Sequence, residues 1–298
     1  MRVLVTGANG WVGSAVVSDL LAAGHQVVGL ARTEEGAKKV QAQGAEVLRG
    51  SLDDLAVLRE GTAWSEAVIH TAFNHDFSKL AENSAQERRA IETMGETLEG
   101  SGRPLIVTSG VALLAPGRVS SESDAGHHPS PAFPRAPELT AGTFASRGVR
   151  VAAVRLAPTV HGIGDHGFVP RLIDIARAKG VSVYVGEGRN RWPAVHRLDA
   201  ARLYRLALEH GATGGPFHAT AEEGIPLKDI AEAIGRGLDI PVVSKTPEEA
   251  AEHFGWFVHF AGVDCPSSSQ QTRSLLGWTP EHPSLLEDMA NPAYFAAH

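Results

Sequence analysis

The sequence predicts an α/β fold: a doubly wound parallel sheet with a smaller carboxyl-terminal substrate lobe. Three observations predict it. Short apolar, β-branched runs alternate with longer helical stretches through the first half of the chain. A glycine-rich turn stands between the first run and the first helix, and the alternation breaks down after Leu156. Strand–helix alternation implies parallel strands joined by right-handed crossovers, with helices on both faces. Ligands of such sheets bind at the carboxyl ends of the strands, so functional residues are expected just after each strand.

In chain order, the expected strands are Arg2–Thr6, Gln26–Leu30, Ala67–Thr71, Leu105–Ser109 and Val149–Leu156, each a β-branched apolar run. Helical periodicity runs through Trp11–Ala23, Glu34–Gln43, Leu52–Glu60 and Ser84–Glu99. Beyond Leu156 strands are expected near Val181–Val185 and Phe217–Ala219, and helices near Phe168–Lys179, Leu198–His210 and Leu227–Leu238. The domain reading is a nucleotide-binding unit over 1–160, rejoined by segments near 195–220, and a substrate lobe over most of 161–298. Ser120–Pro137 is too broken by proline for a helix and long for a connection, so it is expected to be functional or mobile.

Composition narrows the partners. At 298 residues and 43% hydrophobic content the chain can bury a large core. A net charge of -7, with both signs mixed, leaves no footprint for nucleic acid or an anionic membrane. No apolar run approaches membrane-spanning length. The opening MRVLVTG reads as a buried strand rather than a leader, and the single cysteine, Cys265, cannot form an internal disulfide. A soluble, cytoplasmic protein acting on a small molecule, as a monomer or homodimer, is expected.

The turn Thr6-Gly7-Ala8-Asn9-Gly10-Trp11-Val12-Gly13 follows a strand and opens a helix, which is the setting of a dinucleotide phosphate loop. Gly7 allows the tight turn, Gly10 lets the backbone approach a pyrophosphate, and Gly13 lets helix and strand pack closely. The helix end supplies free N–H groups and a positive dipole end, with Asn9, Trp11 and Val12 beside them. Arg32, just past the second strand, faces the adenosine ribose. A guanidinium there suits the 2′-phosphate of NADP, so NADPH is expected ahead of NAD. The alternative is that Arg32 is solvated and Glu34 takes the ribose hydroxyls.

These residues resemble the extended short-chain dehydrogenase/reductase superfamily, whose nucleotide-binding part is a Rossmann domain, and the resemblance runs through nearly the whole chain. Its glycine motif is TGxxGxxG, as in Thr6–Gly13. The resemblance implies that Gly50-Ser51-Leu52-Asp53 forms the adenine-contacting turn, with Ser51 where an aspartate is usual. It implies that Val68-Ile69-His70-Thr71-Ala72, with Phe73 next, passes under the cofactor. Leu105-Ile106-Val107-Thr108-Ser109 matches the strand that delivers the family's active-site serine, here Ser109. Val154-Arg155-Leu156-Ala157-Pro158-Thr159-Val160-His161-Gly162 resembles the segment at the nicotinamide end, which puts Pro158 and Val160 beside the cofactor. Val195–Ala201 and Leu275–Pro280 are similar to two later signatures.

One departure decides the mechanism. The family's YxxxK motif opens the helix that leads into the strand containing Arg155. Counting back from Arg155 through Glu138, Ser130 falls at the tyrosine position and Pro134 at the lysine position. A serine hydroxyl is a far weaker acid than a phenol of pKa about 10, and proline has no side chain to hold a ribose. The tyrosines, Tyr184, Tyr204 and Tyr294, all lie beyond this segment. The pattern resembles the atypical subgroups of the superfamily, which include reductases and regulators.

Replacement acids are therefore sought where strand ends and the long loop should meet: His75 and Asp76, Ser109, and Asp124, His127 and His128. Histidine titrates in the useful range and is preferred. Arg155 is expected to form an ion pair and Asp199 to cap the helix after it. Phe254, Trp256, Phe257 and Phe260 either line an apolar pocket or belong to the core. No metal site is expected: HExxH is absent, and the adjacent His127 and His128 diverge on any regular backbone. The leading expectation is an NADPH-dependent reductase of a small carbonyl, imine or activated alkene. The rivals are an NADP(H)-binding sensor without turnover and a non-redox isomerase or lyase that retains its cofactor.

Overall fold

A computed structural model of the chain describes residues 1–296. The first half builds β1 (Arg2–Thr6), α1 (Trp11–Ala22), β2 (Gln26–Ala31), α2 (Glu34–Ala42), β3 (Glu46–Arg49), α3 (Leu55–Trp64), β4 (Ala67–His70), α4 (Leu80–Leu98), β5 (Pro104–Gly110), α5 (Pro137–Gly142) and β6 (Arg150–Leu156). The second half contributes β7 (Thr159–His161), α6 (Phe168–Lys179), β8 (Ser182–Val185), β9 (Arg191–His196), α7 (Arg197–Glu209), β10 (Phe217–Ala219), β11 (Glu222–Pro226), α8 (Leu227–Leu238), β12 (Val242–Lys245) and α9 (Pro247–Phe254).

Seven parallel strands form the central sheet, in the order β10-β6-β5-β4-β1-β2-β3. The order reverses around β1 and β4, which opens a crevice at their carboxyl ends. Val3, Leu4 and Val5 are fully buried, as an apolar run covered on both faces must be. One face packs α1 and α7 through Val16, Leu20, Leu203 and Tyr204; the other packs α4 and α5 through Ile91, Met94 and Ala141. A second core, with Ile173, Trp192, Ile230, Phe257 and Met289, fills the lobe around the small sheets β11-β9-β7 and β12-β8.

Some boundaries differ from expectation for local reasons. The helix expected from Leu52 starts at Leu55, because the Ser51 backbone N–H and hydroxyl both donate to the Asp54 carboxylate, at 2.7 and 2.8 Å, and close a turn first. The helix expected from Ser84 starts at Leu80, after a turn on which Asp76 accepts from Ser78 N–H. β3 and β9 escape the pattern: the first is a short edge strand with exposed ends, and Pro193 interrupts the second. Asp199 does not cap its own helix. His196 caps α7, while the Asp199 carboxylate accepts from the backbone N–H groups of Glu281 and His282.

Candidate active site

The phosphate loop has the geometry its glycines require. Gly7 has φ +71°, and its carbonyl accepts from Gly10 N–H at 2.8 Å. A β-carbon at Gly13 would stand 2.1 Å from the Gly7 oxygen, whereas one at Gly10 would meet only that oxygen, at 3.1 Å. α1 begins on Gly10 with no side-chain cap, so the amides of Trp11, Val12 and Gly13 have no partner among the described residues. A cradle of unpartnered amides at a helix N-terminus fits a dinucleotide pyrophosphate. Asn9 is exposed at its rim. Trp11 is more committed than expected: its Nε1 donates to the Val160 carbonyl at 2.7 Å, and the Arg197 guanidinium lies 4.1 Å from its ring centroid. This ties the loop to β7, just past Pro158.

The neighbouring strand ends close the cradle. Thr71 Oγ1 donates to the Thr6 carbonyl at 2.7 Å, and a β-carbon at Gly7 would stand 2.8 Å from the Ala72 nitrogen. Arg32 is exposed and makes no hydrogen bond or ion pair among the described residues. Glu34 instead pairs with Arg49 at 3.3 Å, and Arg49 also donates to the Thr33 carbonyl. The turn carrying Ser51 and Leu52 lies next to this edge, at the end of β3.

Ser109, near the carboxyl end of β5, opens onto a cleft of about 460 Å³, solvent included. Its lining also includes Gly110, Leu113, His127, Phe133, Arg135 and Glu138. The Ser109 hydroxyl makes no hydrogen bond among the described residues and is free for a ligand. Of the histidines singled out, His127 lines this cleft, with Nε2 3.2 Å from the Phe133 carbonyl. His128 is exposed and outside it; His75 is also exposed, its ring edge-on to Phe73 and Phe77. Asp124 is engaged by Arg118 and by Ser121 N–H, which hold its carboxyl down at about 2. Asp76 is held below the usual carboxylate range by Ser78. Neither suits the role of proton donor.

Beneath Ser109 lies a polar network that the sequence pattern did not reveal. Arg135 Nε and Nη2 hold both oxygens of Glu87, whose side chain is 2% exposed, and Nη2 also donates to the Thr108 carbonyl at 2.9 Å. Burial pushes the Glu87 carboxyl up against the opposing pull of Arg135. His70, fully buried beside this pair, is held down at about 3 by burial and then by the Arg135 charge, so it is neutral. Glu87 shares a helix face with Ala90, Ile91 and Met94. An acid on an apolar stripe is the signal that could have found it.

The long loop is held to the sheet and the carboxyl-terminal lobe at several points. Arg155, 2% exposed, forms the expected ion pair: it binds both oxygens of Glu138, at 2.9 and 2.7 Å, and donates to the Asp124 carbonyl. Ser120 bridges to Ser267, and Glu122 accepts from Thr272 N–H and hydroxyl. The positions counted as tyrosine and lysine, Ser130 and Pro134, fall in irregular backbone before α5, which is only six residues long. Tyr204 reaches β5 from the opposite face, but its phenol is fully buried and donates to Thr108 Oγ1 at 2.7 Å. Phe254 and Phe257 are core, whereas Trp256 is exposed and, with Phe260, faces Phe77.

His196, Asp199 and His282 bring possible metal-ligand atoms within 4.8 Å of one another. The rings of His196 and His282 stack in parallel, with centroids 4.7 Å apart and planes at 10°, so their in-plane lone pairs do not converge. The Asp199 carboxylate already accepts from the backbone N–H groups of Glu281 and His282, one on each oxygen.

Comparison with known proteins agrees with this geometry. A family model described as NAD(P)H-binding matches residues 7–123. The chain is 52% identical to the uncharacterized protein C2A9.02 of Schizosaccharomyces pombe, over 99% of this chain and 100% of that one. It is 30% identical to a 4-hydroxy-2-methyl-3-oxo-4-farnesyl-3,4-dihydroquinoline-1-oxide ketoreductase of Stigmatella aurantiaca, over 86% of this chain and 80% of that one. The chain belongs to the short-chain dehydrogenase/reductase superfamily. A UDP-glucose 4-epimerase of Thermotoga maritima shares the superfamily fold with TM-score 0.75 at 20% identity, covering 99% of this chain and 98% of that one. A structure of MoeE5 in complex with UDP-glucose and NAD matches with TM-score 0.74 at 22% identity, over 99% and 98%. The chain is thus an NAD(P)-binding protein related to reductases, dehydrogenases and epimerases. Among the described residues, no helix is long and apolar enough to cross a membrane.

Proposed function

We propose that the chain is an NADPH-dependent reductase of a small carbonyl, imine or activated-alkene compound, with a proton donor other than tyrosine. The observation that carries this reading is the uncapped glycine cradle of α1 at the end of β1, with a cleft at the end of β5 in the same sheet whose lining includes a free Ser109 hydroxyl and the His127 imidazole. Bound nicotinamide supplies hydride. Ser109 orients the acceptor group, and His127, whose Nε2 lies 3.2 Å from the Phe133 carbonyl on the same cleft wall, is the proton source. NADPH is preferred over NADH because Arg32 is unpaired while Glu34 is turned to Arg49. Arg32 and Arg49 flank Thr33 and favour a 2′-phosphate there.

A second reading, an NADP(H) sensor without turnover, is favoured by the placement of the tyrosines. Tyr204 is bonded to Thr108, Tyr294 to Asp165, and Tyr184 packs beside Lys228, so none lines the cleft. Titration with NADPH and NADH, wild type against Arg32→Ala, followed by absorbance at the nicotinamide band with aldehydes, imines and enones, separates the two. The reductase gives tight NADPH binding that weakens in Arg32→Ala, and stoichiometric oxidation. Binding without oxidation selects the sensor or a non-redox enzyme, and no binding of either nucleotide overturns the cofactor reading.

A further inference from the structure

We propose that Arg135 is the oxygen-binding group of the cleft: its free Nη1 donates to the carbonyl oxygen of an uncharged aldehyde, ketone or enone and stabilises the negative charge that develops there. The proposal rests on the reductase reading and narrows it to neutral carbonyl substrates. A guanidinium carries five N–H donors in a rigid fork. Here Nε and Nη2 are consumed by Glu87, at 3.2, 2.9 and 2.6 Å, and by the Thr108 carbonyl. The Nη1 donors have no partner among the described residues, and Arg135 lines the cleft with Ser109 and His127. The guanidinium is centred 4.4 Å from the Phe73 ring, on the segment leaving β4, so its plane is fixed before any ligand arrives.

The charge balance selects the substrate. Arg135 is offset by Glu87, and Arg155, which pairs with Glu138 of the same cleft wall, is offset in turn. Apart from the proton that His127 gives up, the fixed charges of the wall cancel, so Arg135 offers a strong donor without adding net positive charge. A carboxylate gains little from the offset Arg135 against the loss of its hydration, whereas a carbonyl oxygen needs only the donor. As the carbonyl carbon takes up hydride from reduced nicotinamide, the π pair moves onto oxygen, where Arg135 holds it. The oxygen then takes a proton from His127, so one alcohol forms for each NADPH oxidised. A preorganised donor placed where charge develops is worth on the order of 10²–10³ in rate.

The test uses the full chain. Removing Arg135 alone would strand a buried carboxylate, so the main variant is the double change Glu87→Gln with Arg135→Met, with Arg135→Lys and Arg135→Ala beside it. NADPH affinity is read by fluorescence titration. Turnover is read on a panel of aldehydes and ketones headed by 4-nitrobenzaldehyde, with 4-nitrobenzoate as competitor. The expected result is a double variant that melts near the wild type and keeps NADPH affinity within about threefold, but loses about 100-fold or more in kcat/KM. Added guanidinium ion partly restores Arg135→Ala, and the benzoate does not compete. Unchanged kcat/KM in the double variant, lost NADPH affinity, or competition by the benzoate overturns the proposal. If the wild type binds NADPH but reduces no carbonyl compound, the reductase reading itself falls and takes this one with it.

Discussion

At the scale of single residues, the phosphate loop separates two duties that one motif runs together. Gly13 is required by packing, whereas Gly10 is left with little steric demand, as the proposed approach of a pyrophosphate would use. A β-carbon at Gly13 would stand 2.1 Å from a backbone oxygen that cannot move aside, so Gly13→Ala is expected to cost about 1–3 kcal/mol in urea unfolding and to weaken NADPH binding. Gly10→Ala meets only a 3.1 Å contact, so it should unfold near the wild type yet bind NADPH roughly tenfold or more weakly. Equal stability losses in the two would refute this division. The glycines were legible because their partners lie within a few positions of them. Arg135 was not, because its partner Glu87 is 48 residues away on α4 and only the sheet brings them together.

At the scale of elements, two anchors hold irregular chain against the sheet. Arg155 ties the 120–138 loop to β6 through Glu138 and the Asp124 carbonyl. Breaking a buried pair of this kind costs roughly 3–5 kcal/mol. Arg155→Leu should therefore lower the melting temperature and open residues 120–137 to limited proteolysis; a loop that stayed protease-resistant would show that Glu122 and Ser120 suffice. Asp199 is the second anchor, holding the Glu281 and His282 amides, with the Trp278 indole on its carbonyl. In Asp199→Ala, hydrogen exchange should accelerate at the Glu281 and His282 amides while α7, capped by His196, stays protected. The sequence suggested that Arg155 forms an ion pair but could not name Glu138. It also misassigned Asp199, because capping composition is local and the amides this carboxylate binds come from about eighty residues further on.

At the scale of the whole molecule, buried histidines make the fold sensitive to acid. Burial, reinforced by Arg135, holds His70 down at about 3; burial, then neighbouring His161, holds His196 at about 4; burial, then Lys179, holds His253 at about 4. Each lies below the ordinary value of about 6.5, so the unfolded chain binds more protons. The stability they contribute is present above pH about 6.5 and is lost as pH falls from there toward 4 and 3. Urea unfolding across this range should show the loss, and His70→Asn should flatten its slope. An unchanged slope in that variant would mean that His70 is not neutral in the folded protein.

The sequence by itself determined the strand–helix alternation, the glycine-rich turn that opens α1 and the lack of a tyrosine and lysine at the counted positions, because each is written in short-range periodicity or spacing. Tertiary structure alone decided which histidine shares a cleft with Ser109, how the long loop is pinned, and that Arg135 meets Glu87 beneath the cleft. Those contacts join segments tens of residues apart, and their energies arise from burial and charge pairing that exist only once the sheet has brought the segments together.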